Sequence, residues 1–375
     1  MMRLEAEAEK RYAILFGVLI STFLIQTVTR TTIHFIDDNL WTDQIRYVLS
    51  HDPKQFDLFG CYGHPGTTII ELASMFHLIG GISYRVSLVL SESVLIAVST
   101  ALCSVYCYLI SPGSLWWLAT ALTLSLNRLY LNATPTTAVV MPFITLIVLA
   151  SWWLYCKEQI SKQYFYWGAV VGMAAATRID VSLLIGMSML VLIWFKHGHR
   201  AVLPMLLATG FFFILSNPYM WFMPMQHIAD LMQKFTMHYT HFTRASSIDL
   251  EELFNTLWLT AICLIWSLFF IFRRQRIEIV PTPLFVVFFS VSFLALSVVL
   301  SSRFQAARYL FPVCTVWEVI LPLYVLETLS DSTNSLDRTG KKTKNLIFVA
   351  ISLLVFIQLV TYIITYINIP PVILI

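Results

Sequence analysis

Long unbroken apolar stretches alternate with short polar connections along most of this chain, and two of the polar connections are far longer than the rest. A helix that crosses a bilayer needs ~20 mostly apolar residues. About eleven stretches meet or approach that length, over roughly 12–28, 84–110, 114–128, 135–155, 164–176, 180–196, 200–216, 252–272, 282–301, 309–327 and 345–367. Each is continuous in its apolar character instead of alternating, so a spanning β-barrel is excluded. The pattern predicts an all-α polytopic membrane protein, with residues 1–375 forming a single transmembrane domain. The fifth and sixth stretches are the least regular, because the run from Trp167 to Ala176 is short and Arg178 and Asp180 interrupt the apolar residues after it. One broken helix pair dipping to the membrane surface is the other reading, and in both the turn Thr177-Arg178-Ile179-Asp180 points outward.

The two long polar segments, 30–83 and 217–251, carry a periodicity of their own. Ile228, Leu231, Met232, Phe235, Tyr239 and Phe242 recur at helical spacing, with Gln226, Asp230, Gln233, Lys234, His238 and His241 falling largely between them. Such a helix lies in the membrane interface instead of crossing it. Thr42–Leu49 and Thr67–Ile79 read the same way, the second opened by Pro65 near the first helical position. These segments predict a shelf of interfacial helices over the bundle.

Composition agrees: 58% of residues are hydrophobic, only 12% are charged and the mean hydropathy is +0.75, whereas a soluble domain carries roughly 25% charged residues. The first apolar stretch follows MMRLEAEAEKR, but polar Gln26, Thr27, Thr29 and Arg30 close it where a small-residue cleavage site would stand. It reads as a retained signal anchor. With the N-terminus inside, one face collects Arg3, Lys10, Arg11, the KHGHR and FRRQR clusters and the lysines at 341–344, mostly in short connections where the positive-inside rule is informative. The N-terminus is therefore expected to be cytoplasmic, and the long polar segments external. A formal charge of +3 gives no reason to expect a nucleic-acid partner. Cys103, Cys107, Cys156, Cys263 and Cys314 fall in or at the ends of apolar stretches, which implies neither a disulfide framework nor a metal cluster.

Candidate chemistry gathers on the outer face. Asp37 and Asp38 lie about ten residues beyond the first apolar stretch; solvation beside the headgroups, or capping of the helix near Trp41 by Asp38, is their structural reading. Downstream, Gly60, Gly63, Pro65 and Gly66 make a compact turn with His64 at its tip. Glu92 and Glu318 sit inside apolar stretches, where acids are costly and often functional. They could line a polar cavity or be satisfied by neighbouring Ser and Thr. Walker-type loops, H-E-x-x-H helices and G-x-S-x-G elbows are absent from the sequence.

The acidic pair, Arg46-Tyr47 about ten residues on and then Gly-His64-Pro-Gly before a helix together resemble the first external loop of polyprenyl-phosphate-dependent GT-C glycosyltransferases. The nearest branch is the protein O-mannosyltransferase and lipid A aminoarabinose transferase group. The likeness continues in WGAVVGMAAATRID, similar to that group's glycine-bearing span ending in T-K or T-R, in SNPYMWFMPMQHI, similar to N-P-x-x-W-x-x-P, and in ARYLFPV, similar to R-Y-x-x-P. Three departures stand out: Asp-Asp where many relatives carry Asp-Glu, a tip LNATPTT without the acid often found after the third span, and no appended C-terminal domain.

The resemblance implies a GT-C fold and transfer of a sugar from a polyprenyl-phosphate-linked donor to a hydroxyl of a glycan, lipid or protein acceptor. It implies inversion at the anomeric carbon, in a multi-pass protein of the bacterial inner membrane with its active site outside and membrane lipids around it. One carboxylate would take the acceptor's proton, a role typically worth about 10²- to 10⁴-fold. Asp37 is preferred over Asp38 because it matches the first acid of the family's pair. The departing phosphate needs fixed positive charge, for which Arg178, Arg303 and Arg308 are the candidates, Arg308 first because Tyr309 and Pro312 follow it. Headgroup snorkelling is the alternative for all three. Asp180 could pair with Arg178 across a turn, and His64, Asn217, Tyr219 and Trp221 are candidates for sugar or prenyl contacts. No cofactor is indicated, and a divalent cation, were one used, would have only the Asp pair and scattered histidines to hold it. The rival readings are a lipid or small-solute transporter, which would place its polar residues near the midplane in related halves, and a non-catalytic membrane scaffold.

Overall fold

The computed structural model describes residues 2–32, 41–43, 45–46, 49–50, 68–110, 115–126, 142, 145, 163–177, 186, 190–191, 193–194, 198–217, 221, 223–226, 228–229, 232–233 and 360. This part of the chain is all-helical. Its helices are α1 (Met2–Thr32), α2 (Thr68–Gly80), α3 (Tyr84–Ile110), α4 (Trp116–Ser125), α5 (Gln163–Thr177) and α6 (His199–Leu215). Two of them are long and apolar enough to cross a membrane, over Glu7–Thr31 and Tyr84–Leu109.

The first helix is longer than its apolar stretch. Its opening turns are built from Glu, Ala, Lys and Arg, all strong helix formers, and Glu7 and Arg11 approach to 3.9 Å one turn apart on the exposed side. Helical propensity therefore carries α1 well before Tyr12, where hydropathy alone would start it.

Along α1 the usual distribution of polarity is inverted. Ile14, Val18, Thr22, Gln26 and Arg30 recur every fourth residue and are buried, whereas Tyr12, Phe16, Ile20, Leu24 and Val28, offset by two, are exposed. Polar side chains thus face protein and apolar ones face outward, the arrangement expected where the surroundings are themselves apolar. On α6, Ala201, Met205 and Ala208 are buried while Leu203, Leu206, Leu207, Phe211 and Ile214 face outward.

The first four helices pack around α3. Ile14 and Val18 of α1 join Ala101 and Tyr108 of α3 and Ala121 of α4 in one apolar cluster. Further along, Arg30 of α1 meets Glu92 of α3, so α1 and α3 run antiparallel. The buried face of α3 is rich in hydroxyls. Ser91, Ser93, Thr100 and Ser104 each bond the carbonyl one turn back on their own helix, and Ser87 bonds that of Ser83 just before it, which satisfies them without a partner helix and keeps the surface smooth. Ser99 instead bonds Thr145. Cys103 and Cys107 are small core residues, as their apolar setting predicts; both are free and buried, and Thr120 of α4 donates to Cys107 Sγ at 3.3 Å.

Both helical stretches expected in the first polar segment are helical where they are described. Residues 41–43, 45–46 and 49–50 are helical, and α2 covers the second stretch almost to the residue. Trp41 and Ile45 pack with Ile69, Ile70 and Ala73 of α2 and Leu88 of α3, so both elements sit on the N-terminal end of α3. The connection into α3 is tight. Gly81 takes φ +60°, a left-handed value open to glycine, as α2 ends, and its N–H reaches the His77 carbonyl at 2.9 Å.

The other packed pair is α5 against α6. A Cβ placed on Gly168 would strike the Met205 carbonyl and Ala208, and one on Gly172 would strike the Thr209 carbonyl and Phe213 N. The Gly168-x-x-x-Gly172 spacing lets the two backbones meet, as small-xxx-small pairs do between membrane helices. Phe165 closes the contact edge-on to Phe212 at 5.5 Å between ring centroids.

Candidate functional site

The described residues hold a buried polar row that begins on α1. Thr22, Gln26 and Arg30 stand one turn apart on the inward side of the helix, at 0%, 0% and 1% exposure. Thr22 shares a hydrogen bond of 2.7 Å with the Ser125 hydroxyl. Gln26 donates to the Ser125 carbonyl at 3.0 Å, one of the carbonyls that the end of α4 leaves without an intrahelical donor. The other end of the Gln26 amide accepts from Arg30 Nε at 3.2 Å, and Arg30 Nη1 donates to Glu92 Oε2 at 2.8 Å. The row is one connected network in which a glutamine side chain links a helix end to a guanidinium.

Arg30 and Glu92 form an ion pair with side-chain exposures of 1% and 2%. Removing either charge would strand the other where water does not reach, at a cost of about 3–5 kcal/mol. Neither charge is open to a ligand through the face they share. Glu92 lies about two turns from the start of α3, and Arg30 close to the last residue of α1. The sequence singled out Glu92 and left its partner open between a cavity and nearby hydroxyls. The partner is Arg30, while the Ser91 and Ser93 hydroxyls are spent on their own helix. The four-residue spacing of Thr22, Gln26 and Arg30 in the sequence places them on one helix face, and the fold turns that face inward.

Arg46, half of the Arg-Tyr dipeptide in the first polar segment, lies with its guanidinium carbon 5.6 Å from the Tyr84 ring centroid. His77 stacks on the same ring at 4.2 Å and hydrogen-bonds the Ile82 carbonyl through Nδ1 at 2.6 Å. Tyr84 therefore ties the 41–50 segment and the end of α2 to the first turn of α3.

Of the candidate site residues, Asn217 is described. It is fully buried immediately after α6, with its N–H on the Ile214 carbonyl at 3.1 Å. Trp221 Nε1 donates to the same carbonyl at 2.7 Å while its ring stays 53% exposed. The Trp221 indole thus supplies a donor to a terminal carbonyl of α6. In the interfacial stripe predicted beyond it, Ile228 and Met232 are exposed together with Met225. Asp37, Asp38, His64, Arg178, Asp180, Tyr219, Arg303, Arg308 and Tyr309 lie outside the described residues, as does Glu318.

Comparison with known protein families, with curated proteins and with solved structures finds no match for this chain.

Proposed function

We propose that this protein is a multi-pass glycosyltransferase of GT-C type with about eleven membrane spans. On this reading it moves a sugar from a polyprenyl-phosphate-linked donor to an acceptor hydroxyl at the outer face of the bacterial inner membrane. The observation that carries the reading is the order of motifs: Asp37-Asp38, Arg46-Tyr47, Gly-His64-Pro-Gly, Arg178, Asn217-Pro and Arg308-Tyr309 fall in the family's sequence and all on the face opposite the cationic connections. Two further facts favour it. The described helical residues before and after the acidic pair in sequence, Arg30 and Trp41, both pack on α3. The inward polar row of α1 and the exposed large apolar side chains of α1 and α6 suit helices that face lipid.

In this mechanism Asp37 or Asp38 removes the acceptor's proton as its oxygen attacks the anomeric carbon from the side opposite the phosphate, with inversion. Arg178, Arg303 and Arg308 neutralise the phosphate as it leaves and remains in the membrane. Asp37→Asn and Asp38→Asn, assayed in membranes or detergent with a polyprenyl-phosphate-linked sugar, are expected to lower transfer by about 10²-fold or more at the base while insertion and yield hold. Full transfer by both single variants would refute the mechanism.

A transporter is the second reading, and the buried Arg30–Glu92 pair favours it, because ionisable pairs among membrane helices often mark a solute or ion path. The two separate cleanly. A glycosyltransferase consumes donor in detergent, where no compartments exist, and a transporter shows no turnover there.

A further inference from the structure

Two arginines gather at the first turn of α3. Arg85 belongs to that turn, and Arg46 comes from the 41–50 segment, its guanidinium carbon 5.6 Å from the Tyr84 ring centroid and so within cation–π range. Among the described residues neither enters an ion pair, although Asp43 stands three positions before Arg46 and Glu71 lies in the first turn of α2. Arg85 Nη2 is buried and meets no hydrogen-bond acceptor there. Buried polar groups almost always have a partner, and a charged donor without one is the costliest kind. The Arg85 residue as a whole is only partly buried, so rotation about its terminal bonds brings the fork to the surface.

The ring beside Arg46 is braced. His77 stacks on Tyr84 at 4.2 Å between centroids, and its Nδ1 donates to the Ile82 carbonyl at 2.6 Å, which spends that nitrogen within the turn. A guanidinium over an aromatic face keeps the N–H groups of its edge, and that edge matches two oxygens of a phosphate. Arg46 is therefore held in place with its donors unspent.

Exposed apolar surface adjoins the two cations. Met75, Leu78 and Ile79 share one face of α2 and are exposed, whereas Ile69, Ile70 and Ala73 on its other face bury against Trp41, Ile45 and Leu88. The exposed three lie in the last two turns of α2. Gly81 then turns the chain into α3, whose stretch long enough to cross a membrane starts at Tyr84. Cations and apolar side chains thus meet at the level where the span begins, which is where lipid headgroups lie. A small soluble anion would pair the arginines and leave the apolar face bare. Another apolar helix would cover that face and leave the arginines unpaired. A molecule with an anionic phosphate above acyl chains satisfies both.

We propose that Arg46, Arg85 and the exposed apolar face of α2 form a binding site for an anionic phospholipid of the surrounding membrane, with the guanidinium groups on the headgroup phosphate and Met75, Leu78 and Ile79 along the upper acyl chains. The site does not depend on sugar transfer.

The experiment strips the full-length protein of lipid in detergent and titrates in phosphatidylglycerol or phosphatidylcholine, whose headgroup has no net charge, while native mass spectrometry counts the lipids bound. Wild type is expected to bind phosphatidylglycerol about 20-fold tighter than phosphatidylcholine, from two cations contributing about fivefold each. Arg46→Gln and Arg85→Gln should each lose about fivefold of that preference. Arg200→Gln, at the exposed start of α6, should lose none, and Leu78→Asn should weaken both lipids alike. If Arg85→Gln does not fold, Arg46→Gln, whose side chain is exposed, decides the matter. Equal binding of the two lipids by wild type, an unchanged preference in the folded glutamine variants, or an equal loss in Arg200→Gln overturns the site. A polyprenyl phosphate that displaces phosphatidylglycerol at an equal or lower concentration assigns the arginines to that lipid and overturns the phospholipid site as well.

Discussion

At the scale of single residues, the energetics concentrate on Arg30, Glu92 and Gln26. Each is at most 1% exposed overall, so substitutions here act through unpaired polarity more than through lost packing. Arg30→Ala and Glu92→Ala should each destabilise the folded protein by about 3–5 kcal/mol, with the double substitution costing well under the sum because the second change removes the stranded charge left by the first. A double-mutant cycle on the detergent-solubilised protein measures this, and additive losses would show that the bond contributes nothing. Part of this network could be read directly from the sequence. Glu92 inside an apolar stretch stood out as an acid that needed a partner, but the partner's identity depends on how α1 is rotated against α3. One-dimensional hydropathy holds no information about that rotation. Arg30 looked like the polar flank of a signal anchor because arginines near helix ends usually reach outward.

At the scale of elements, apolar periodicity was a good guide where helices pack by pattern alone. The stretch expected over 84–110 is helix α3 over that range, and the expected 67–79 helix is α2 at Thr68–Gly80. The start of α1 was less legible, because its first turns are helical by propensity while carrying charge. The Gly168 and Gly172 pair was visible as glycines, yet their use as the crossing point of α5 on α6 depends on which helix they face. Gly168→Ala and Gly172→Ala should each cost about 1–3 kcal/mol by forcing a methyl against a carbonyl of α6. Thermal unfolding reads the loss, and Gly210→Ala, whose added Cβ would meet nothing within 4 Å, serves as the control. Trp41 is the larger of the two buried side chains, with Ile45, that join the 41–50 segment to α2 and α3. Trp41→Ala should cost about 3–5 kcal/mol of local docking, seen as faster hydrogen exchange in the 41–50 segment with α5 and α6 unaffected.

At the scale of the whole molecule, the proposed orientation makes an independent prediction. With the N-terminus cytoplasmic, Asp43→Cys should react with an impermeant maleimide added to intact spheroplasts, and Glu9→Cys should react only after permeabilisation. Both positions are exposed, so access is governed by the membrane and not by burial, and the reverse pattern would invert the topology. The sequence by itself determined that the described part of the chain is helical, that the chain is apolar, where α2 and α3 begin and end, and which residues carry candidate chemistry. These follow from backbone periodicity and transfer energies, which act residue by residue along the chain. Only the tertiary structure decided that Arg30 turns inward to Glu92, that Gln26 spans from that guanidinium to the end of α4, and that Trp41 docks one turn above the ion pair. Those contacts join residues far apart in sequence, and their energy depends on the rotation and depth of one helix against another.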